Sequence, residues 1–142
     1  MMNLLYQPNV TGGQAKLDKN QLMRIGAFAK AANVTIRTVR YYLECGLLPP
    51  EKRNENNQRI FNDEDLHWIT NLHYLREAGM SIVELQHYTT LVREGDSSLP
   101  QRIELMREQR KRVIASIADK QEQLKVIDHK LERYLAGDSA VM

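Results

Sequence analysis

The sequence is short of cysteine, of long apolar runs and of net charge, and each shortage removes a class of protein. Cys45 is the one cysteine in 142 residues. A lone thiol excludes an intramolecular disulfide and any metal site built from several cysteines. The longest apolar runs fall far below the roughly 20 residues needed to cross a bilayer, so no membrane partner is expected. Met1 to Tyr6 is brief and no basic segment precedes it, unlike a secretory signal. A cytoplasmic protein is therefore expected. No nucleophile–base constellation, glycine-rich phosphate loop or carboxylate pair stands out, which argues against an enzyme, and no cofactor is expected. The histidines His67, His73, His87 and His129 offer no metal-ligand pairing: His67 and His73 stand six apart, which is not a same-face spacing on a helix.

The formal net charge is only +2, but it is unevenly placed. Residues 24–60 carry seven basic side chains (Arg24, Lys30, Arg37, Arg40, Lys52, Arg53, Arg59) against Glu44, Glu51 and Glu55, an excess of four. Residues 61–142 carry 11 basic and 14 acidic side chains. A basic head on a near-neutral body is the electrostatic footprint of a nucleic-acid-binding protein.

At the centre of that head lies Thr35 to Gly46, Thr-Ile-Arg-Thr-Val-Arg-Tyr-Tyr-Leu-Glu-Cys-Gly. Thr35 suits a helix N-cap, and Gly46 suits the left-handed residue just past a helix end. Ile36, Val39 and Leu43 recur at helical spacing and predict one narrow apolar face. Arg37, Thr38, Arg40, Tyr41 and Tyr42 take the remaining surface. Guanidinium forks, a hydroxyl and phenols suit the edges and phosphates of a DNA groove. In isolation the stretch reads equally as a solvated amphipathic helix, and its neighbours decide.

Ile25 to Asn33 reads as a preceding helix with Ile25, Phe28, Ala29 and Ala32 on one face, ended by Asn33. Two short helices joined by such a turn make a helix-turn-helix, whose second helix enters the major groove. Leu47-Leu48-Pro49-Pro50 stops that helix. Residues 51–62 are polar and rich in Asn and Arg, with Asn56-Asn57 as a plausible hairpin turn. Such a hairpin would be a wing whose arginines reach phosphates beside the groove; the other reading is an exposed loop. Asn62 or Asp63 caps a third helix running to Ala78, with buried Leu66, Ile69, Leu72 and Leu75. Ser81-Ile82-Val83-Glu84 is a capping box for a fourth helix, and Gly95 to Ser97 is a loop. Ser98-Leu99-Pro100-Gln101 reads as a second capping box. The first 21 residues, polar and without period, read as a flexible tail.

From Leu99 onward, Ile103, Met106, Arg110, Val113, Ile117, Lys120, Leu124, Ile127, Leu131 and Tyr134 alternate in steps of four and three. This is a heptad seam and predicts a coiled coil. A chain of this size cannot bury such a helix alone, so a second copy in a two-fold homodimer is the simplest partner. Arg110 and Lys120 either fix register or mark where the seam passes another element.

Taken together, Ile25-Gly26, Val34, Thr38-Val39-Arg40-Tyr41-Tyr42, Gly46-Leu47-Leu48-Pro49-Pro50, Asn57-Gln58-Arg59-Ile60-Phe61, Asp65-Leu66 and Gly79-Met80-Ser81 resemble the MerR family of bacterial transcription regulators. The resemblance covers Met23 to about Val92, and its later part is similar to the short stress- and aldehyde-responsive branch without a separate ligand-binding domain. Leu43, Asn33, Asn57, Gln58 and Phe61 depart from the family's usual Glu, Gly, Gly, Tyr and Tyr. These departures leave the wing-tip turn and one phosphate-contacting phenol open. The resemblance implies a mainly all-α fold: a winged helix-turn-helix head with a small β-hairpin wing, then a long antiparallel coiled-coil dimerisation helix. It implies a tail over 1–21, a DNA-binding domain over 22–95 and a dimerisation helix with a short tail over 96–142. It implies a dimer that binds a palindromic promoter operator in double-stranded DNA and bends and untwists it for RNA polymerase when a small effector or stress signal arrives. Arg24, Thr35, Arg37, Thr38, Arg40, Tyr41, Arg53, Asn57 and Arg59 are the DNA-binding candidates that match. Metal-sensing relatives place cysteines around the long helix, where this chain has none. Cys45 remains either a redox sensor or a packed, silent residue, and Trp68, Tyr74 and Tyr88 either line a small pocket or pack in the core. Outside the family, the alternative is a coiled-coil adaptor whose basic head binds protein or membrane partners.

Overall fold

A computed structural model describes residues 22–49 and 52–140; the tail expected over residues 1–21 lies outside the described residues. In chain order come α1 (Ile25–Ala31), α2 (Ile36–Glu44), β1 (Lys52–Arg53), β2 (Arg59–Ile60), α3 (Asp63–Glu77), α4 (Ile82–Glu94), a short 3₁₀ turn (Gly95–Ser98) and α5 (Leu99–Leu135). The fold is thus mainly helical, a helix-turn-helix and hairpin followed by one long helix. It forms two compact units, one ending at His73 and the other beginning at Tyr74.

In the first unit both helices of the helix-turn-helix end in the same way. Asn33, at φ 56°, lets the Val34 amide return to the Ala29 carbonyl (3.0 Å). Gly46, at φ 73°, lets the Leu47 amide return to the Tyr42 carbonyl (3.0 Å). Each left-handed residue closes its helix and turns the chain back over the core. The entry to α1 is tied down by a two-way backbone bridge between Met23 and Phe61, both bonds 2.7 Å. Behind that bridge the rings of Phe28 and Phe61 stack at 4.1 Å. Phe28 itself, Val39, Leu47, Ile69 and Leu72 are fully buried in this unit. Burial of each such side chain stabilises the fold by about 1.5–3 kcal/mol before chain entropy is counted.

Asn62, not Asp63, caps α3, through a reciprocal pair of bonds. The Asp65 amide donates to Asn62 Oδ1 and the Asn62 amide to Asp65 Oδ2, both at 2.9 Å. Asp65 is buried, yet its carboxylate is satisfied and faces the positive end of the helix dipole.

In the second unit the capping box expected at Ser81 and Glu84 is present in both directions. The box expected at Ser98 is not. Gly95 to Ser98 already turns as a 3₁₀ helix, which holds Ser98 at φ −91°, ψ 1°, outside the extended region an N-cap needs. Its buried hydroxyl points back and donates to the Leu91 and Gly95 carbonyls. Leu85, Met80, Thr89 and Leu91 form the buried face beside it. The first turns of α5 are held by Gln109, whose amide donates to the Ala78 carbonyl at 2.7 Å, and by Arg112, which meets Glu84 at 2.9 Å.

The rest of α5 is different. The helix has 37 residues, about 55 Å at 1.5 Å per residue. Ile117, Leu124, Ile127, Leu131 and Tyr134 on the heptad seam are each more than half exposed. Ile103 is 41% exposed, while Met106 and Val113, nearer the α4 side, are partly covered. Arg110 and Lys120 both face solvent. The polar residue that α5 actually buries is Gln109, one position before the Arg110 of the pattern.

Candidate nucleic-acid interface

Thr35 opens α2 as expected: its Oγ1 accepts the Thr38 amide and lies 3.0 Å from the Thr38 hydroxyl. The two threonines therefore hold each other at the start of the helix. Beyond them, the burial of α2 departs from the predicted face. Val39 and Tyr42 are buried and Leu43 is half-buried, whereas Ile36 is 40% exposed. The predicted stripe of Ile36, Val39 and Leu43 is thus rotated towards Tyr42. Core contacts come from α1 on one side and α3 on the other, and the Tyr42 hydroxyl is anchored 3.1 Å from Nδ1 of His73. Counting about 100° per residue, Ile36, Arg40, Glu44, Arg37 and Tyr41 fall on one continuous arc, and all five are exposed.

The far end of α2 is fixed as firmly as its start. Cys45 is the C-cap residue and its thiol is half-buried. One residue beyond Gly46, the Leu47 carbonyl accepts the indole N–H of Trp68 at 2.6 Å. Tyr42–His73 and Leu47–Trp68 together clamp α2 to α3. Tyr74 is exposed on α3, and Tyr88 is half-buried on α4, where burial raises its phenol above the ordinary pKa.

The wing is a two-stranded hairpin pairing Lys52 with Ile60 and Arg53 with Arg59. Its tip is longer than the two-residue Asn56-Asn57 turn expected. The Asn57 amide donates to the Asn54 carbonyl (3.0 Å) and the Asn54 amide to the Gln58 carbonyl (2.9 Å). Asn57 takes the left-handed conformation at φ 59° and Asn56 does not. This is a type I turn closed by a bulge, so only one residue needs positive φ, and Asn tolerates it without glycine. Asn54 organises the tip: its Oδ1 accepts the amides of Asn56 and Gln58, and its Nδ2 donates to Gln58 Oε1. The Asx-turn chemistry of asparagine carries this role, a signal that a search for charged contacts passes over. Arg53 donates to the Asn57 carbonyl at 2.6 Å, which aims its guanidinium along the tip.

The structure thus sorts the candidate residues into Thr35 and Thr38, paired at the start of α2, and three further groups. Arg37, Arg40 and Tyr41 share the exposed arc of α2. Arg53, Asn57 and Arg59 share the wing, with Arg59 half-buried at its base. Arg24 stands exposed at the N-cap position of α1. A narrow crevice lined by Leu43, Leu48, Lys52, Arg59, Ile60 and Asp65 joins the back of α2 to the wing; it has room for about one water. Among the described residues no three His, Cys, Asp or Glu side chains cluster as a metal site would need. No helix there is long and apolar enough to cross a membrane.

Residues 23–91 match the family model described as MerR HTH family regulatory protein. The chain is 40% identical over 92 residues to the HTH-type transcriptional regulator AdhR of Bacillus subtilis, covering 65% of this chain and 66% of that one. It is 34% identical over 109 residues to an uncharacterized HTH-type transcriptional regulator of Haemophilus influenzae, covering 75% of this chain and 81% of that one. Among solved structures it is similar to HiNmlR, a MerR family regulator lacking the sensor domain, bound to promoter DNA. That match has a TM-score of 0.77 at 30% identity, over 81% of this chain and 87% of the other.

Proposed function

Because this chain belongs to the MerR family of helix-turn-helix transcriptional regulators, we propose that it works as a homodimer on a palindromic operator in double-stranded promoter DNA. Residues 22–95 form the DNA-binding domain and residues 96–142 the dimerisation helix with a short tail. The exposed seam of α5 pairs antiparallel with that of a second copy. Each α2 lies in a major groove, where Arg37, Thr38, Arg40 and Tyr41 meet bases and backbone. Arg53, Asn57 and Arg59 of the wing, with Arg24, hold the flanking phosphates. Thr35 keeps the helix start in place. The dimer then bends and untwists the promoter spacer so that RNA polymerase engages both promoter elements. Deforming a site of this length costs of order 1–6 kcal/mol, which the phosphate contacts offset. A small-molecule or stress signal sets the balance between the resting and the distorting state. Cys45, held half-buried at the C-cap of α2, is read as a packing residue and not as the receiver of that signal. A protein acting on promoters works in the cytoplasm.

The observation that carries this reading is the exposed arc of α2, with Arg37, Arg40 and Tyr41 on a helix clamped at both ends beside an arginine-bearing wing. A structural neighbour solved on promoter DNA without a sensor domain supports it, and family membership argues against the coiled-coil adaptor. Gel shifts with the DNA upstream of the protein's own gene test it. Binding at least about 10³-fold tighter than to random duplex is expected, weakening steeply with salt. In Arg37→Ala with Arg40→Ala that preference should collapse while the helical circular dichroism signal stays. Equal affinity of the unaltered chain for random duplex would overturn the reading.

A further inference from the structure

Ile36 is the first residue of α2 and stands 40% exposed, although its helical neighbours Val39 and Tyr42 are buried. Resting on the reading of α2 as the DNA-reading helix, we propose that Ile36 is a specificity-determining residue that recognises the 5-methyl group of a thymine in each operator half-site.

On the exposed arc its companions are Arg37, Arg40, Tyr41 and Glu44, so Ile36 is the aliphatic member of that surface. It also lies in the first turn, the part of a recognition helix whose side chains reach base edges. Major-groove edges present hydrogen-bonding groups at every base pair, and thymine adds a methyl group. An aliphatic side chain has no hydrogen bond to offer and gains only by covering that methyl. The β-branched chain suits the task, because a single χ1 rotamer dominates in a helix and little freedom is lost on contact. The threonine cap fixes where Ile36 starts, since the Thr38 amide is bound to Thr35 Oγ1 at 3.0 Å. Arg40 is one turn further along the same edge. Side chains at i and i+4 stand about 5–6 Å apart, and base pairs stack about 3.4 Å apart. The thymine read by Ile36 therefore lies one or two base pairs from the base read by Arg40.

The test replaces each thymine of the operator by uracil, one position per half-site at a time, and measures the affinity of the full chain. Uracil keeps every hydrogen bond and removes only the methyl. One position is expected to weaken binding about fourfold per half-site, the value of one buried methyl group, and so about 16-fold when both half-sites are changed. Ile36→Ala should bind the thymine operator more weakly and show no difference between thymine and uracil at that position. Ile36→Val, which keeps the branch, should retain most of the difference. Circular dichroism confirms that both variants fold. If the unaltered chain binds the operator and no uracil position affects it differently from Ile36→Ala, the proposal fails and the reading of α2 as a DNA-reading helix stands. If the unaltered chain has no operator preference at all, both fail.

Discussion

Two helices of this chain, α2 and α5, solve opposite problems. α2 has nine residues and α5 has 37. A free nine-residue helix in water is scarcely populated. α2 exists because Thr35 caps its start, Gly46 closes its end, and Tyr42 and Leu47 are hydrogen-bonded to α3. Its order is complete within one chain, and what it exposes is mostly polar. α5 is long enough to favour helix by itself, yet beyond its first turns it leaves a ridge of Ile117, Leu124, Ile127 and Leu131 in water. A helix short of internal stability is finished by its own domain, whereas the apolar surface of α5 is left uncovered by its own chain.

The strongest way to break that contrast is to charge the ridge. Ile117→Glu with Leu124→Glu is expected to turn a dimer into a monomer by sedimentation. Operator affinity should fall by about 10²–10⁴-fold, because two linked heads bind together and one does not. The helix-turn-helix should stay folded. The opposite attack removes support from beneath α2. Phe28→Ala deletes a fully buried ring stacked on Phe61 and should destabilise the first unit by about 3–5 kcal/mol in urea titration, with the seam untouched. A smaller effect sharpens the picture where α5 is held by its own chain. The Glu84 carboxylate is held below its ordinary pKa of 4.5 by the Ser81 backbone amide and then by Arg112. A lowered pKa means the carboxylate stabilises the fold above that range, and its contribution disappears as pH falls through the folded-state value. Glu84→Gln should therefore be slightly less stable than the unaltered chain at pH 7, by at most about 1 kcal/mol for so exposed a pair. The two melting curves should converge as pH falls well below the ordinary carboxylate pKa of 4.5.

What could be read from the sequence was local. Thr35, Asn33, Gly46 and the Ser81–Glu84 box declare themselves because a cap or a left-handed residue depends on a few neighbours along the chain. The seam of α5 is equally plain, being a repeat. The misreadings arise where backbone geometry or packing, which residue spacing does not carry, decides a side chain's role. Ile36 fits a buried stripe by spacing, and only the placement of α1 and α3 turns the helix so that Tyr42 takes the inside. Ser98 and Gln101 have the spacing of a capping box, but the preceding 3₁₀ turn denies Ser98 the backbone angles. Asn54 and Gln109 are polar residues without a motif, and their roles rest on carbonyls and amides that folding brings to them. Of the candidate site, the charged and hydroxyl residues were legible as types, and the arc they form on α2 was not.

The chain's one tryptophan, Trp68, donates its indole proton to the Leu47 carbonyl just past the end of α2. That bond makes its emission an optical gauge of how tightly the end of α2 is held. If operator distortion draws the end of α2 away from α3, the half-buried indole meets water and its fluorescence moves to the red. If the helix rides as a rigid body, the spectrum stays where it is.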